Sequence, residues 1–178
     1  MNLPAGITNN LETFEDEHGQ LRAMHSGVNV AYFDLPDELR APFRAELAAN
    51  KPAQIILRKF FHCLNLNEME EQYMRCRYGA FDHTPDLAEG ITSPDAPQCS
   101  LIQHCPGYGV ICHNPVDLTR KEYQVTKLAA VGKENKEIAE ELGISLNTVI
   151  THMNRIRTKF KVNNRVEVSF LARNFGII

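Results

Sequence analysis

The chain has 178 residues, of which 43% are hydrophobic and 23% are charged. This length allows one medium domain or two small ones, and the composition is that of a globular protein rather than a disordered one. No apolar run approaches the roughly 20 residues that a membrane-spanning helix needs. The acidic N-terminus also lacks the basic flank and apolar stretch of a secretory signal. We therefore expect a soluble cytoplasmic protein without a membrane partner.

Positive charge is concentrated in the C-terminal third of the chain. Residues 117–178 contain eleven Lys and Arg against seven Asp and Glu, a balance of +4, whereas residues 1–116 contain eight and fifteen, a balance of −7. Residues 145–165 contain five basic residues and no acid. A patch of one sign in an otherwise acidic chain indicates an anionic partner, although an ordinary solvated face has the same composition.

The N-terminal 116 residues change in character along the chain. Residues 1–33 are polar, with short alternating pieces that are compatible with a small hairpin. Apolar residues at four-residue spacing predict helices from Pro36 to about Tyr78, with Asn67 as the cap of the last one. Residues 79–116 are rich in proline and glycine, and their apolar residues show no helical or strand periodicity. A structure in this segment therefore has to be stabilised by something other than a packed helix or strand.

Four of the five cysteines lie in or next to this Pro/Gly-rich segment, with 22, 5 and 6 residues between them. Four thiolates form the closed set of a structural zinc site, and a metal can organise a segment that lacks a core. The spacing contains no CxxC pair, so unrelated reduced cysteines or an iron–sulfur cluster stay open. A histidine (His83, His104 or His113) could replace one thiolate. The predicted ligands are Cys76, Cys99, Cys105 and Cys112.

From Asp117 the sequence is densely helical. Thr119 and Asn164 each precede by three residues a glutamate that can return the capping hydrogen bond. Asn135 and Ser145 are the candidate caps of the two helices between. The expected helices lie near residues 120–131, 135–142, 146–160 and 165–174.

The second and third of these helices are joined by the short turn "LGIS", which is typical of a helix-turn-helix. Helical spacing places one apolar stripe of the third helix toward the core. The opposite face has small polar residues first and basic residues later. In a helix-turn-helix, the first part of this helix contacts base edges, while phosphate contacts position it. The stripe consists of Val149, Met153, Ile156 and Phe160.

Residues 118–168 closely resemble the LuxR/GerE-type DNA-binding domain, in the elements "LTRKE", "NKEIAEELGIS", "NTV", His152, "KF" and "NRVEV". The resemblance implies four helices, the third in the major groove and the fourth pairing two copies on a symmetric site. By position it implies base contacts from Ile150, Thr151 and Asn154. It implies phosphate contacts from Lys136, Asn147, Thr148 and Arg155, and the end of the outer face adds Thr158 and Lys159.

Ile150 departs from the family pattern, in which the corresponding residue is usually Lys, Arg or another polar residue. An isoleucine can contact a thymine methyl group. It can also make the recognition of the DNA sequence less specific. A third interpretation is that Ile150 only adds packing at the edge of the helix.

The N-terminal half fits neither input domain that is common in this family. A phospho-receiver needs alternating strands and helices with a phosphorylatable aspartate, and the lactone-binding pocket is typically rich in Trp, which this chain lacks. No catalytic triad, phosphate loop or paired-carboxylate motif stands out, so we do not expect an enzyme.

The sequence thus predicts a mainly α protein with a small β component. Residues 1–116 are expected to form a helical, Cys-rich domain for metal binding or interaction, and residues 117–178 a LuxR-type helix-turn-helix domain. The expected function is that of a homodimeric transcription regulator that binds duplex DNA. The alternatives are an interaction module acting on RNA polymerase, a sigma factor or another regulator, and a thiol-based redox or metal sensor.

Overall fold

A computed structural model describes residues 5–7, 9–97, 99–114 and 116–178. Within these residues it has seven α-helices and one small antiparallel sheet, which confirms the expected mainly α class with a β component. The chain divides into two compact units. Unit 1 comprises the chain up to residue 99 together with residues 106–113, and unit 2 comprises residues 100–105 and 114–178. No helix in the described ranges is both long and apolar enough to cross a bilayer.

The sheet of unit 1 has the strand order β3-β2-β1-β4-β5. Its first three strands form a meander, and the predicted hairpin is the second pair of this meander, in which His25 lies opposite Val28. The turn between β2 and β3 has positive φ at Ser26 and at Gly27, which matches the right-handed twist of paired strands. The fourth strand pairs with β1, so the Pro/Gly-rich segment completes the sheet. The strands are β1 Leu11–Glu15, β2 Leu21–His25, β3 Val28–Ala31, β4 Leu87–Ala88 and β5 Ile91–Thr92.

Three helices cover this sheet and share one hydrophobic core with it. The predicted cap of the third helix is wrong by two residues. Asn65, not Asn67, is the cap, because the side-chain oxygen of Asn65 accepts a hydrogen bond from the Glu68 backbone N–H at 3.0 Å. The helices are α1 Asp37–Ala49, α2 Lys51–Lys59 and α3 Leu66–Tyr78.

Four carboxylic acids of unit 1 are buried. Glu70 pairs with Arg40 at 3.0 Å, whereas the other three (Glu12, Asp86 and Asp95) form no ion pair with the described residues. Glu12 Oε1 accepts from the Asp82 backbone N–H at 2.8 Å, and Asp86 Oδ2 accepts from the backbone and hydroxyl of Thr13, both at 2.6 Å. The second oxygen of Glu12 and of Asp86 has no partner among the described residues. Burial raises the pKa of Glu12 to about 8 and that of Asp95 to about 7, and it raises the pKa of Asp86 well above its ordinary value.

The described residues of unit 2 form four α-helices, and their bounds confirm the predicted ones to within one residue. The helix α4 packs against α6 and α7, α5 packs against α6, and a 3-10 turn at residues 100–103 packs against α4. Thr119 forms the predicted capping box, with its N–H donating to Glu122 Oε2 at 2.8 Å. The helices are α4 Arg120–Ala130, α5 Asn135–Leu142, α6 Leu146–Phe160 and α7 Arg165–Asn174.

The predicted cap of α5 is wrong by one residue. Asn135 is the first residue of the helix, and the cap is Glu134, whose backbone N–H donates to Glu137 Oε2 at 2.6 Å. The Glu137 carboxylate thereby satisfies the backbone N–H of the cap residue, and its negative charge is favourable in the first turn of a helix.

We expect unit 1 to lose stability as the pH rises from about 5 to about 8. The folded pKa values of Glu12 and Asp95 lie above those of the unfolded chain, so over this range the unfolded chain releases the protons first and is favoured. Below the unfolded pKa both states are protonated, and this stability is fully present. Each group contributes a slope of at most about 1.4 kcal/mol per pH unit.

Thermal unfolding of the full chain checks this expectation. Glu12→Gln keeps an acceptor for the Asp82 N–H and removes the charge, so it should raise the melting temperature more at pH 8 than at pH 5. The exposed Glu17→Gln is the matched control and should follow the parent. Identical pH profiles for Glu12→Gln and the parent would contradict the burial argument.

Candidate nucleic-acid interface

The turn between α5 and α6 fixes the direction of α6. Gly143 ends α5 with φ +61°, a left-handed conformation that costs glycine the least. The Ile144 N–H then donates to the Ala139 carbonyl at 3.0 Å, which closes the C-terminal cap. Two residues later Ser145 caps α6, because its hydroxyl oxygen accepts from the Thr148 N–H at 3.1 Å. The end of α5 and the start of α6 are therefore both fixed by hydrogen bonds within the turn.

The core-facing stripe of α6 is buried as predicted. Each of these side chains stabilises the folded state by roughly 1.5–3 kcal/mol through removal from water. Phe160 also stacks on Phe175, with ring centroids 6.0 Å apart. Because this face is held in the core, the opposite face of α6 has to be the exposed one. The buried residues are Val149, Met153, Ile156 and Phe160.

Most residues predicted to contact DNA are exposed on that opposite face or at the start of α5. Ile150 has 41% of its surface exposed. Two threonines donate their hydroxyl hydrogens to the helix backbone: Thr151 to the Asn147 carbonyl at 2.9 Å and Thr158 to the Asn154 carbonyl at 3.1 Å. Their lone pairs are thus available as acceptors for an added partner. The exposed set is Lys136, Asn147, Ile150, Thr151, Asn154, Arg155 and Thr158.

Two predicted contact residues have hydrogen bonds within unit 2. The hydroxyl of the half-buried Thr148 lies 2.8 Å from that of Ser145. Lys159 Nζ donates at 2.7 Å to Glu122 Oε2 and at 2.7 Å to the Asp117 carbonyl, and so ties the end of α6 to the start of α4. Burial alone would raise the pKa of Glu122, but hydrogen bonds from Lys159 and Thr119 outweigh it, and the pKa is lowered. A phosphate contact by Lys159 stays a prediction.

A shallow groove of about 150 Å³ lies along the exposed side of α6, next to the first residues of α5 and α7. Two arginines in it were not predicted as site residues. Arg157 donates to the Asn154 side-chain oxygen and, at 3.3 Å, to the Asn163 carbonyl. The sequence could have indicated Arg157, because it follows Asn154 by three residues and residues at this spacing are neighbours on a helix. The groove is lined by Asn135, Ile150, Met153, Asn154, Arg157 and Arg165.

Arg165 organises the start of α5. Its guanidinium donates to Asn135 Oδ1 at 3.1 Å, to the Ala129 carbonyl at 3.3 Å and to the Lys133 carbonyl. These acceptors belong to the end of α4, the connection and the first residue of α5, so Arg165 links three elements from the first turn of α7.

The predicted metal ligands are distributed over both units. Cys76, Cys99 and Cys112 belong to unit 1, and Cys105 belongs to unit 2. Within the residues that the structure describes, no group of three or more His, Cys, Asp or Glu side chains is arranged to hold a metal ion. The zinc site, and the iron–sulfur alternative, stay predictions that metal analysis of anaerobically purified protein checks.

The fold and the exposed face together define unit 2 as a helix-turn-helix domain. Residues 116–172 match the sequence model of the family described as bacterial regulatory proteins, luxR family. This region of the chain is therefore a GerE/LuxR-family helix-turn-helix domain, which confirms the resemblance seen in residues 118–168.

Relatives over this C-terminal region are named as transcriptional regulators. The transcriptional regulatory protein LiaR of Bacillus subtilis (strain 168) is 44% identical over 61 residues, which are 34% of this chain and 29% of that protein. DesR of the same organism is 46% identical over 59 residues, 33% of this chain and 30% of that protein. A crystal structure of the phage VqmA-DPO complex matches 35% of this chain and 28% of its own at 34% identity, with a TM-score of 0.34. The chain thus covers about three-tenths of the length of these curated relatives.

Lys159→Met should destabilise unit 2 by about 2–3 kcal/mol. The substitution leaves the buried Glu122 carboxylate without its cation, and the cost is below that of a fully buried pair because Lys159 is partly exposed. Lys161→Met removes the same charge two residues further on and should leave the stability nearly unchanged.

Urea unfolding at several pH values measures this effect. The folded pKa of Glu122 is lowered, so the contribution is present at neutral pH and is lost as the pH falls through that folded pKa. The difference between Lys159→Met and the parent should therefore shrink in acid. An equal loss of stability in both variants would show that the ion pair has no special role.

Proposed function

We propose that unit 2 binds duplex DNA with α6 in the major groove and that the chain acts as a transcription regulator. The observation that carries this proposal is the exposed face of α6, which contains no acid and lies opposite a fully buried apolar stripe. A helix held in this way can enter the major groove, which is about 12 Å wide, without disturbing its own packing.

The residues divide by the kind of contact they offer. In the proposed complex the first half of α6 approaches the base edges, and donors at the margins approach phosphates, which fix the register but carry no sequence information. Ile150, Thr151 and Asn154 are proposed to contact bases. Lys136, Asn147, Thr148, Arg155, Thr158 and Lys159 are proposed to lie at the phosphates.

Affinity for DNA should fall steeply with salt, because each neutralised phosphate releases counterions and contributes a slope of about 0.9 log units of affinity per log unit of salt. The double variant Asn154→Ala/Arg155→Ala loses a base contact and a phosphate contact. It should therefore bind more weakly and reduce the salt slope by about one.

A matched double variant serves as the control. Asn67→Ala/Arg58→Ala removes the same two residue types from exposed positions of unit 1 and should leave both affinity and salt slope unchanged. Mobility shifts across a salt titration measure these quantities. If the α6 variant binds as well as the parent throughout, α6 is not the DNA-binding helix.

We propose further that the chain binds as a homodimer through α7. Val166 and Phe170 lie one helical turn apart and have 78% and 64% of their surface exposed, whereas Val168 and Ala172 face the core of unit 2. Two exposed apolar side chains on one helix form too small a patch for a strong dimer by themselves. Pairing is therefore proposed to occur on the DNA, where two half-sites bring two copies together.

Phe170→Glu should abolish cooperative binding to a two-half-site duplex and leave binding to a single half-site unchanged. A charge at the pairing surface opposes pairing, while the base-reading face is untouched. Asn174→Glu places the same charge at an exposed position at the end of α7 and is the control. Sedimentation of the complexes gives the stoichiometry; two copies of Phe170→Glu bound cooperatively would contradict the proposed surface.

The alternative of an interaction module is supported by the exposure of the apolar Ile150 on the outer face. Its partner would be RNA polymerase, a sigma factor or another regulator. A mobility shift with random duplex at low salt separates the two functions, because an interaction module leaves the DNA band unmoved. Loss of binding on thiol oxidation or on metal removal would instead favour the redox or metal sensor.

A further inference from the structure

We infer that α6 recognises a thymine through Ile150 and Asn154, and that Arg157 is a positioning residue that sets this preference. The inference rests on the proposed binding of DNA and adds the base that is read. Both Ile150 and Asn154 line the same groove, and their spacing of four residues makes them neighbours on the exposed face.

The side-chain amide of Asn154 can face its surroundings in only one way. The Arg157 guanidinium has only donors, so the atom of Asn154 to which it donates has to be the amide oxygen. If the amide were reversed, two sets of N–H groups would oppose each other. One of the two lone pairs of the oxygen is therefore used inside the protein, and the bond turns the amide nitrogen toward the side on which a base would lie.

A hydrogen-bond donor beside an apolar side chain matches the major-groove edge of thymine. Thymine presents the O4 acceptor next to the C5 methyl group. Asn154 supplies the donor and Ile150 supplies the apolar surface. Cytosine presents an amino donor and no methyl group, so it would oppose the Asn154 nitrogen and leave Ile150 against a polar edge.

Arg157 also disfavours the recognition of adenine by Asn154. Asparagine commonly reads adenine with two hydrogen bonds, donating to N7 and accepting from the N6 amino group. Here one lone pair of the accepting oxygen is already bonded to Arg157, and the guanidinium charge lies beside it, so the bond from the N6 amino group meets a competing donor and is disfavoured. Guanine offers two acceptors and no methyl group, which leaves Ile150 without a partner.

The test begins with duplexes selected by the full chain from a random library. Each enriched duplex is then made with deoxyuridine in place of thymidine, which removes only the C5 methyl groups. The parent should bind the uracil duplex about fourfold more weakly for one contacted methyl group, the value of one buried carbon. Replacing thymines one at a time locates the contacted position.

Three variants assign the effect to the three residues. Ile150→Ala should bind thymine and uracil duplexes equally. Arg157→Ala removes the competing donor and its charge from the Asn154 oxygen, so exchanging the contacted thymine for adenine should cost several-fold less than in the parent. Arg157→Gln retains an amide donor for that oxygen and should keep the preference of the parent. Circular dichroism confirms that each variant is folded.

Arg155→Ala is the matched control, because it removes an exposed arginine of the same helix that is proposed to contact phosphate. It should weaken binding to all duplexes alike and reduce the salt slope by about one, without changing the preference between thymine and uracil. A structural role of Arg157 would lower affinity in the same uniform way and would not alter the base preference.

The outcomes separate this inference from the function on which it rests. A thymine preference that disappears in Ile150→Ala supports it. If the parent binds DNA with normal salt dependence but does not distinguish uracil from thymine, the inference is wrong and the proposed function stands. If no duplex is bound at any salt concentration, both are wrong.

Discussion

Burial of the apolar stripe on α6 is the constraint on which the exposed face depends. A helix has one orientation about its axis, and four buried side chains from Val149 to Phe160 fix that orientation. The left-handed Gly143 and the Ser145 cap set where the helix begins, and Lys159 ties its last turn to the buried Glu122. Asn154, on the far side, is therefore held at a defined place by the buried stripe and by the bonds at the two ends of the helix.

The core of unit 1 contains several buried carboxylic acids as well as apolar side chains. Glu12, Asp86 and Asp95 lie in a part of the unit where burial favours their neutral forms. Two of them bind backbone N–H groups from segments that are distant in sequence, and so join β1 to the Pro/Gly-rich segment. Hydrogen bonds to carboxyl groups thus help to hold a segment that supplies few apolar side chains.

The helices of unit 2 were predictable because their signals are local: helical periodicity, capping residues and a glycine stop lie within a few residues of each other. The exact caps were harder, since Glu134 and Asn65 had neighbours of equal or better propensity. The strands β4 and β5 have two residues each; β4 pairs with β1 and β5 pairs with β4, which no local pattern reveals. In the candidate site, periodicity located the exposed face, but the bond from Arg157 to Asn154 depends on rotamers. The spacing of the cysteines along the sequence likewise does not give the distances between their side chains in the fold.

The central claim is that the exposed face of α6 is the surface that meets duplex DNA. Nuclear magnetic resonance of the isotope-labelled full chain tests it directly, by titration with a duplex at low salt. The account predicts that the largest shifts occur at the amides of residues 147–158 and at the Asn154 side-chain NH₂ signals. Large shifts confined to unit 1, with the α6 signals unmoved, would contradict it.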